Sequence, residues 1–229
     1  MKNILILMML SIILVSGCTT GFNRPLAEKR LEDINLSDAP VGSALKPPVK
    51  VAVFADLETM DQAGNFSETW DWGTNDRNLI TSYLKDLVDM KYISEYVVIP
   101  DNSDHGMQDI TYLLGEAKKQ NADALLTIRG VMKVNKYINP AAILDLTILG
   151  ACLFPGSNRE AILLVNLNLW NVKDNGCVMT VKGEGEKMIS EPTFLIDTRD
   201  AVDAARTDTL RKVLSEFKKR CRESRFNSK

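Results

Sequence analysis

The alternation of short apolar strands with amphipathic helices in the first half of the chain is the feature that most restricts its fold. Residues 49–55, 96–100 and 124–131 are apolar runs rich in β-branched residues, which is typical of buried strands. Between them, from about residue 74 and from about residue 108, apolar residues recur at helical spacing. Because strands that alternate with helices pair in parallel through right-handed crossovers, this order predicts a βαβαβ unit.

The second half of the chain predicts an antiparallel hairpin followed by a closing helix. Segments 161–172 and 177–187 flank a turn that contains Asn175-Gly176, and Asn-Gly is the strongest short signal for a hairpin. Residues 198–220 carry an apolar stripe at helical spacing. We therefore predict a single α/β domain, in which a mixed sheet is packed against helices and the chain ends in a long helix.

Residues 143–154 have more than one interpretation. Their apolar residues alternate as in a strand, but the positions between them are also mostly apolar, so a doubly buried strand and a core helix fit equally well. A third interpretation is a patch that touches a membrane or a partner. In lipid, Asp145 and Thr147 would then need polar partners.

The N-terminal residues predict a targeting segment. Lys2 precedes an apolar run from Ile4 to Val15, which is too short for a permanent membrane span and is followed by small residues. The sequence Val-Ser-Gly-Cys ending at Cys18 resembles a bacterial lipoprotein signal; the alternative is an ordinary signal peptide with a chance cysteine. The resemblance implies cleavage before Cys18 and acylation of that cysteine. Thr19, where aspartate would imply retention, implies sorting to the outer membrane.

The predicted organisation is a signal peptide at 1–17, a lipidated tether at 18–48 and a periplasmic α/β domain at 49–229. The tether is polar and rich in proline, and only residues 28–33 suggest a short helix. A flexible coil of this length would reach roughly 30 Å. Lipid at Cys18 would then be the membrane anchor, with the domain facing the periplasm.

Composition narrows the possible functions. The chain has 229 residues and a formal net charge of −2, so it has no general electrostatic case for binding nucleic acid. If Cys18 carries lipid, three cysteines remain in a compartment that permits disulfides. Either two of them pair and one thiol is left over, or Cys152, Cys177 and Cys221 are all buried and reduced.

The sequence predicts no cofactor, metal or catalytic set. The single histidine, His105, lies in a turn, and Asp101–Gly106 lacks the ligand pattern of a calcium loop. The cysteines lack the paired spacing of a zinc site. Gly183-Glu184-Gly185 has too few glycines for a nucleotide loop, and its acidic residue would repel phosphate, so we interpret it as an edge strand with a bulge.

Loop 56–76 is the strongest candidate for function, because long connections in compact domains are commonly functional or mobile. It combines Phe66, Trp70 and Trp72 with six carboxylates, which suits a surface that binds a partner. Alternatively, the tryptophans fold back over the sheet edge. A third interpretation is a hydrolase that uses loop carboxylates as acid and base. The carboxylates are Asp56, Glu58, Asp61, Glu68, Asp71 and Asp76.

The C-terminal helix ends in a basic segment. Cations at a helix C-terminus interact favourably with the helix dipole, so a solvated helix end is the simplest interpretation of the residues from Arg211 to Lys229. The alternative is contact with anionic lipid headgroups or with an acidic partner.

Residues 146–156 resemble part of a known family. Leu146 to Gly156 reads Leu-Thr-Ile-Leu-Gly-Ala-Cys-Leu-Phe-Pro-Gly and precedes a long strand, as in the rhombotarget lipoproteins, which it resembles. The sequence ends at Lys229 without the C-terminal sorting tail of that family, so we expect no processing by a rhomboid-type protease. The order of elements is also similar, more loosely, to Tol-translocation-protein N-terminal and curli-channel lipoprotein domains. That second resemblance implies assembly and docking roles.

The sequence thus favours a membrane-anchored envelope lipoprotein that acts as a docking or assembly factor through an envelope protein partner, rather than an enzyme. The alternatives are the hydrolase and a small-ligand binding protein. A ligand of the latter would be expected at the carboxyl ends of the parallel strands.

Overall fold

A mixed sheet of six strands organises the part of the chain that the structure describes. The computed structural model describes residues 24–34, 40–60, 66–69, 72–100, 108–138, 157–191 and 197–226. In chain order its elements are α1 (Arg24–Ile34), β1 (Val49–Met60), β2 (Phe66–Thr69), α2 (Thr74–Asp89), β3 (Ile93–Val98), α3 (Ile110–Lys119), β4 (Ala124–Ile138), β5 (Ser157–Asn171), β6 (Gly176–Glu191) and α4 (Thr198–Phe226).

The strands lie in the order β2–β1–β4–β5–β6, and β3 lies beside the first half of β1. β1 is parallel to both β3 and β4, whereas β5 and β6 are antiparallel to their neighbours. β2 pairs antiparallel with residues 58–60 of β1, so β2 and β3 share one edge of that strand. The prediction of one α/β domain with a βαβαβ unit, a hairpin and a long closing helix is confirmed.

Alternation along the strands gives each face of the sheet its own apolar core. On one face, Val51, Val53 and Leu57 of β1 pack with the buried sides of α2 and α4. On the other face, Ala52 and Phe54 pack with α3. The predicted apolar stripes of the helices are buried as expected. They comprise Ile110, Leu113, Leu114 and Ala117 in α3, and Val202, Ala205, Leu210, Val213, Leu214 and Phe217 in α4.

The predicted hairpin is longer than its sequence pattern indicated. β5 and β6 stay paired from Asn171 and Gly176 at the turn to Ser157 and Glu191 at the open end. Asn175 has a φ of 58°, a conformation that asparagine tolerates better than most residues. Residues 143–154, the segment with several interpretations, lie outside the described residues.

Residues 40–48, here called the strap, cross the β5–β6 turn before β1 begins. Gly42 N donates to the Cys177 carbonyl over 2.9 Å, and Cys177 N donates to the Pro40 carbonyl over 2.9 Å. The strap and the turn approach so closely that a Cβ atom on Gly176 would lie 2.3 Å from the Gly42 Cα atom. Glycine is therefore required on both sides of this crossing.

Gly183 and Gly185 serve a different purpose from the predicted bulge. The β5–β6 register is unbroken at both residues and shifts only between Leu169 and Trp170, so the bulge prediction is wrong. A Cβ atom on Gly183 would lie 2.2 Å from Val213 Cγ2, and one on Gly185 would lie 2.0 Å from Thr209 Oγ1. The two glycines therefore let α4 pack closely against β6.

Gly185→Ala is expected to lower the free energy of unfolding by about 1–3 kcal/mol through overpacking. Thr209 Oγ1 cannot yield easily, because it donates to the Ala205 carbonyl over 2.7 Å and that carbonyl also lies 3.2 Å from the added carbon. The matched control is Gly115→Ala in α3, where nothing lies within 4 Å of the added carbon. That change should stabilise the helix. Equal midpoints in urea denaturation for the two variants would contradict the packing explanation.

Candidate functional site

Five charged residues gather where β1 and β4 approach their carboxyl ends, and we call them the charged cluster. They are Arg30 of α1, Asp56 and Glu58 of β1, and Arg129 and Lys133 of β4. The strand residues are two or four positions apart within their strands and therefore share one face of the sheet, between the apolar patches under α3 and α1. All four are buried, with Arg129 completely inaccessible.

Arg129 is at the centre of the charged cluster. It lies directly opposite Asp56 in the β1–β4 register, and its guanidinium lies 5.8 Å from the centre of the Phe54 ring. Nη2 donates to the Gln108 carbonyl. Burial lowers the pKa of Arg129 to about 10, and attraction to nearby carboxylates, Asp56 first, opposes that shift. Arg129 therefore stays charged at neutral pH, where it compensates the buried negative charge of β1.

Arg30 attaches α1 to the sheet through Glu58. Its Nε lies 3.2 Å from Glu58 Oε2 and its Nη2 lies 3.1 Å from Oε1, a two-pronged arrangement that fixes orientation as well as distance. Ala27 and Leu31 of the same helix pack with Met60, Val131 and Leu164 in a third core cluster. Thus α1, which lies within the predicted tether, contacts the domain, as does the strap.

A second buried ion pair joins α2 to α4. Arg206 Nε lies 3.2 Å from Asp76 Oδ2, and the side chains are 8% and 3% exposed. Asp76 also accepts from Gly73 N over 2.9 Å at the start of α2. Burial raises the pKa of Asp76 above its ordinary value, although the charge of Arg206 and the Gly73 hydrogen bond both act to lower it.

The structure places the predicted binding aromatics differently from one another. Trp72 is 4% exposed and packs in the main core, so its ring is covered in this conformation. The backbone of Phe66 opens β2 and pairs with Met60, at the outer edge of the sheet. Trp70 and the lipidation residue Cys18 lie outside the described residues.

Three of the six loop carboxylates are held in structural positions. Asp56 and Glu58 belong to β1 rather than to a loop, and they face Arg129 and Arg30 as described above. Asp76 lies in α2 and pairs with Arg206. A hydrolase would therefore depend on the other three acidic residues. Asp61, Asp71 and the side chain of Glu68 lie outside the described residues.

The described residues contain no group of three or more histidine, cysteine, aspartate or glutamate side chains that could hold a metal ion. Cys177 and Cys221 do not form a disulfide, and burial raises the pKa of the Cys221 thiol to about 12. Cys221 is thus a neutral core group at physiological pH. His105 and Cys152 lie outside the described part of the chain.

Part of the basic C-terminal segment is engaged within the fold. Lys218 pairs with Asp86 of α2, and Arg220 donates to Glu216 and to the Thr180 carbonyl. These contacts attach the end of α4 to α2 and β6. Arg211 and Lys219 remain exposed on the same helix, where a lipid or a partner could still meet them.

Arg129 and Lys133 were not identified from the sequence as notable residues, although a signal was present. They lie four residues apart in a largely apolar stretch and therefore on one face of the strand, and cations on the buried face of a strand need anionic partners. The matching pattern is Asp56 and Glu58 in β1. Parallel pairing of the two strands brings the four side chains together.

Comparisons with known proteins found similarity to several solved bacterial structures. No protein-family model and no curated protein matches the chain. The PelC dodecamer from Paraburkholderia phytofirmans is 19% identical, with 76% of this chain and 91% of that chain covered and a TM-score of 0.38. A neuraminyllactose-binding hemagglutinin homolog from Helicobacter pylori is 12% identical, with coverages of 79% and 87% and a TM-score of 0.39.

The LpoB C-terminal domain from Salmonella enterica is 11% identical, with 70% of this chain and 92% of that domain covered and a TM-score of 0.32. With identities below 25% and TM-scores below 0.5, these similarities define no function for this chain. The resemblance to the rhombotarget lipoproteins stays a prediction. Within the described residues, no helix is both long enough and apolar enough to cross a bilayer.

Proposed function

We propose that the chain is an envelope lipoprotein, anchored in the outer membrane by lipid on Cys18, whose periplasmic domain docks or assembles another envelope protein. Support for the anchor comes from the apolar leader and the Val-Ser-Gly-Cys sequence that ends it. Support for a docking role rather than catalysis comes from the charged residues. Glu58 of β1 and Asp76 of α2, two of the carboxylates that a hydrolase could have used, are buried and engaged in ion pairs that hold helices in place.

The attachment of α1 is the observation that carries the proposal. α1 begins six residues after Cys18, and a fully extended chain of that length spans about 20 Å at most. Because Arg30 and Glu58 hold α1 on the sheet, the domain would stay close to the membrane surface. A partner would therefore be met at short range from the bilayer.

We assign the docking surface to β2 and the aromatic residues around it. β2 is a four-residue strand at the sheet edge, and edge strands present backbone hydrogen-bonding groups to a partner. Phe66 and Trp70 would supply the apolar anchors of such a contact. Trp72, which is buried in the core, would attach the segment that follows β2 to the domain.

Photocrosslinking of the native lipoprotein in membranes tests this proposal. A benzoylphenylalanine residue in place of Phe66 is expected to give one dominant protein adduct, identified by mass spectrometry. The same residue in place of Tyr112, which is 47% exposed on α3, provides an exposed control and is expected not to give that adduct. The same adduct from both positions, or none from Phe66, would contradict docking at β2.

A further inference from the structure

An apolar cavity lies at the end of the sheet opposite the charged cluster. It has a volume of about 200 Å³ and is enclosed by the strap, the first residues of β1, the turn between α2 and β3, and the last turns of α4. Leu45, Val51, Leu126, Phe217 and Cys221 are among its walls. The predicted ligand position was the carboxyl ends of the parallel strands. This cavity is at their amino ends instead.

A basic pocket adjoins this cavity across the strap. The pocket has a volume of about 620 Å³ and shares Ala44, Leu45 and Val49 with the cavity. Its lining includes three lysines and one carboxylate, Asp123. The lysines are Lys46, Lys118 and Lys173.

The lysines of this pocket are not neutralised by the described residues around them. Lys118 Nζ donates to the Asn175 side-chain oxygen over 3.1 Å, which leaves its charge uncompensated. Lys46 and Lys173 form no ion pair with any described residue. Asp123 is the one carboxylate in the lining, and it accepts from Lys50 N over 2.8 Å. The pocket therefore has a net positive charge beside an apolar cavity.

We propose that the cavity and the basic pocket together bind an anionic amphiphile with a single alkyl chain. The chain would occupy the apolar cavity, and its carboxylate or phosphate group would lie among the three lysines. A water-sized group takes about 30 Å³, so the cavity has room for about six or seven methylene groups. The best match is a fatty acid of about eight carbons. This site is distinct from the docking surface at β2.

The volume of the cavity limits the length of the alkyl chain that it can bind. Each methylene group transferred from water to an apolar cavity strengthens binding about fourfold. Affinity should therefore rise from butyrate through hexanoate to octanoate and then level off at decanoate, whose end no longer fits. Isothermal titration calorimetry on the full chain carrying Cys18→Ser, which cannot be acylated, measures this series. The same weak or absent heat along the series would overturn the proposal.

A variant that fills the cavity tests whether the alkyl chain of the ligand binds there. Cys221→Leu adds two heavy atoms at the cavity wall and should move the plateau to a chain about two methylene groups shorter. Cys177→Leu is the matched control, since Cys177 does not line the cavity, and it should leave the plateau unchanged. If Cys221→Leu proves unfolded by circular dichroism, Leu169→Phe tests the same point, because Leu169 lines the cavity and not the basic pocket. An unchanged plateau in a folded filling variant would overturn this assignment.

Neutralising the lysines tests the anionic group. Lys46→Gln with Lys173→Gln should weaken octanoate binding severalfold and leave octanol, which has no charge, unaffected. Octanoyl lysophosphatidylglycerol, an anionic membrane lipid with a single alkyl chain, tests below its micelle concentration whether the amphiphile is a membrane lipid. Its competition with octanoate would assign the site to lipid, and its failure to compete would assign it to free fatty acid. Equal weakening of octanol and octanoate would overturn the role of the lysines.

Discussion

Replacing Arg129 with methionine is expected to lower the free energy of unfolding by about 3–5 kcal/mol, the range for removing one partner of a buried ion pair. Methionine fits the volume of the arginine stem but leaves Asp56 buried without the charge that lies opposite it. Glu58 also loses a favourable charge, although Arg30 still holds it. Urea denaturation followed by tryptophan fluorescence measures the loss.

Two further variants separate the effect of the Arg129 charge from that of its packing. Arg211→Met changes an exposed arginine of α4 and should leave the urea midpoint almost unchanged. Asp56→Asn combined with Arg129→Met removes the buried negative charge as well and should recover part of the stability. If the double variant were no more stable than Arg129→Met alone, the stabilisation would come from the packing of the arginine stem and not from its charge.

Arg206→Met is expected to cost a similar amount, about 3–5 kcal/mol at neutral pH, because it leaves Asp76 buried and charged between α2 and α4. The loss should depend on pH. A carboxyl group whose pKa is raised on folding stabilises the folded state below its unfolded pKa, and that contribution disappears as pH rises through the folded pKa. Since the charge of Arg206 acts to lower the pKa of Asp76, its removal should raise that pKa further.

The cost of Arg206→Met should therefore be largest near pH 7 and smaller near about pH 4, where Asp76 takes up a proton more readily. Thermal unfolding at both pH values measures the difference. Lys212→Met is the matched control, because Lys212 and Asp208 form an exposed ion pair with both side chains 58% accessible. Exposed pairs contribute little. A cost for Arg206→Met that does not change with pH would rule out the buried carboxylate as its source.

The sequence pattern predicted the parts of the fold that depend on periodicity. Helical spacing in α3 and α4 identified their buried residues, and Asn175-Gly176 identified the hairpin, because these signals are local. β2 was not predicted, since Phe-Ser-Glu-Thr has neither length nor alternation and becomes a strand only by pairing with β1. The sequence predicts a tether where the strap lies, because the contacts of the strap depend on a turn more than 120 residues further along the chain.

The candidate sites, like the fold, combine features that local sequence predicts with features that depend on contacts between distant segments. The prediction of lipid on Cys18 rests on a contiguous sequence, whereas the charged cluster depends on the β1–β4 register, which single strands do not reveal. The role of Gly183 and Gly185 likewise depends on α4 lying over β6, which no local rule gives. The apolar cavity is formed by segments that are far apart in the sequence, and its walls individually resemble ordinary core residues.

The contacts of α1 and the strap determine when the domain can complete its folding. Leu31 shares its cluster with Leu164, and Ser43 bonds to Asp174, which lies 131 residues later in the chain. These early segments cannot reach their final positions until the hairpin exists. In the proposed lipoprotein, which would cross a membrane N-terminus first, Cys18 would meet the acylating enzymes before the domain closes around α1. Contacts so distant in sequence cost loop-closure entropy, so the final closure should be slow compared with that of helical proteins.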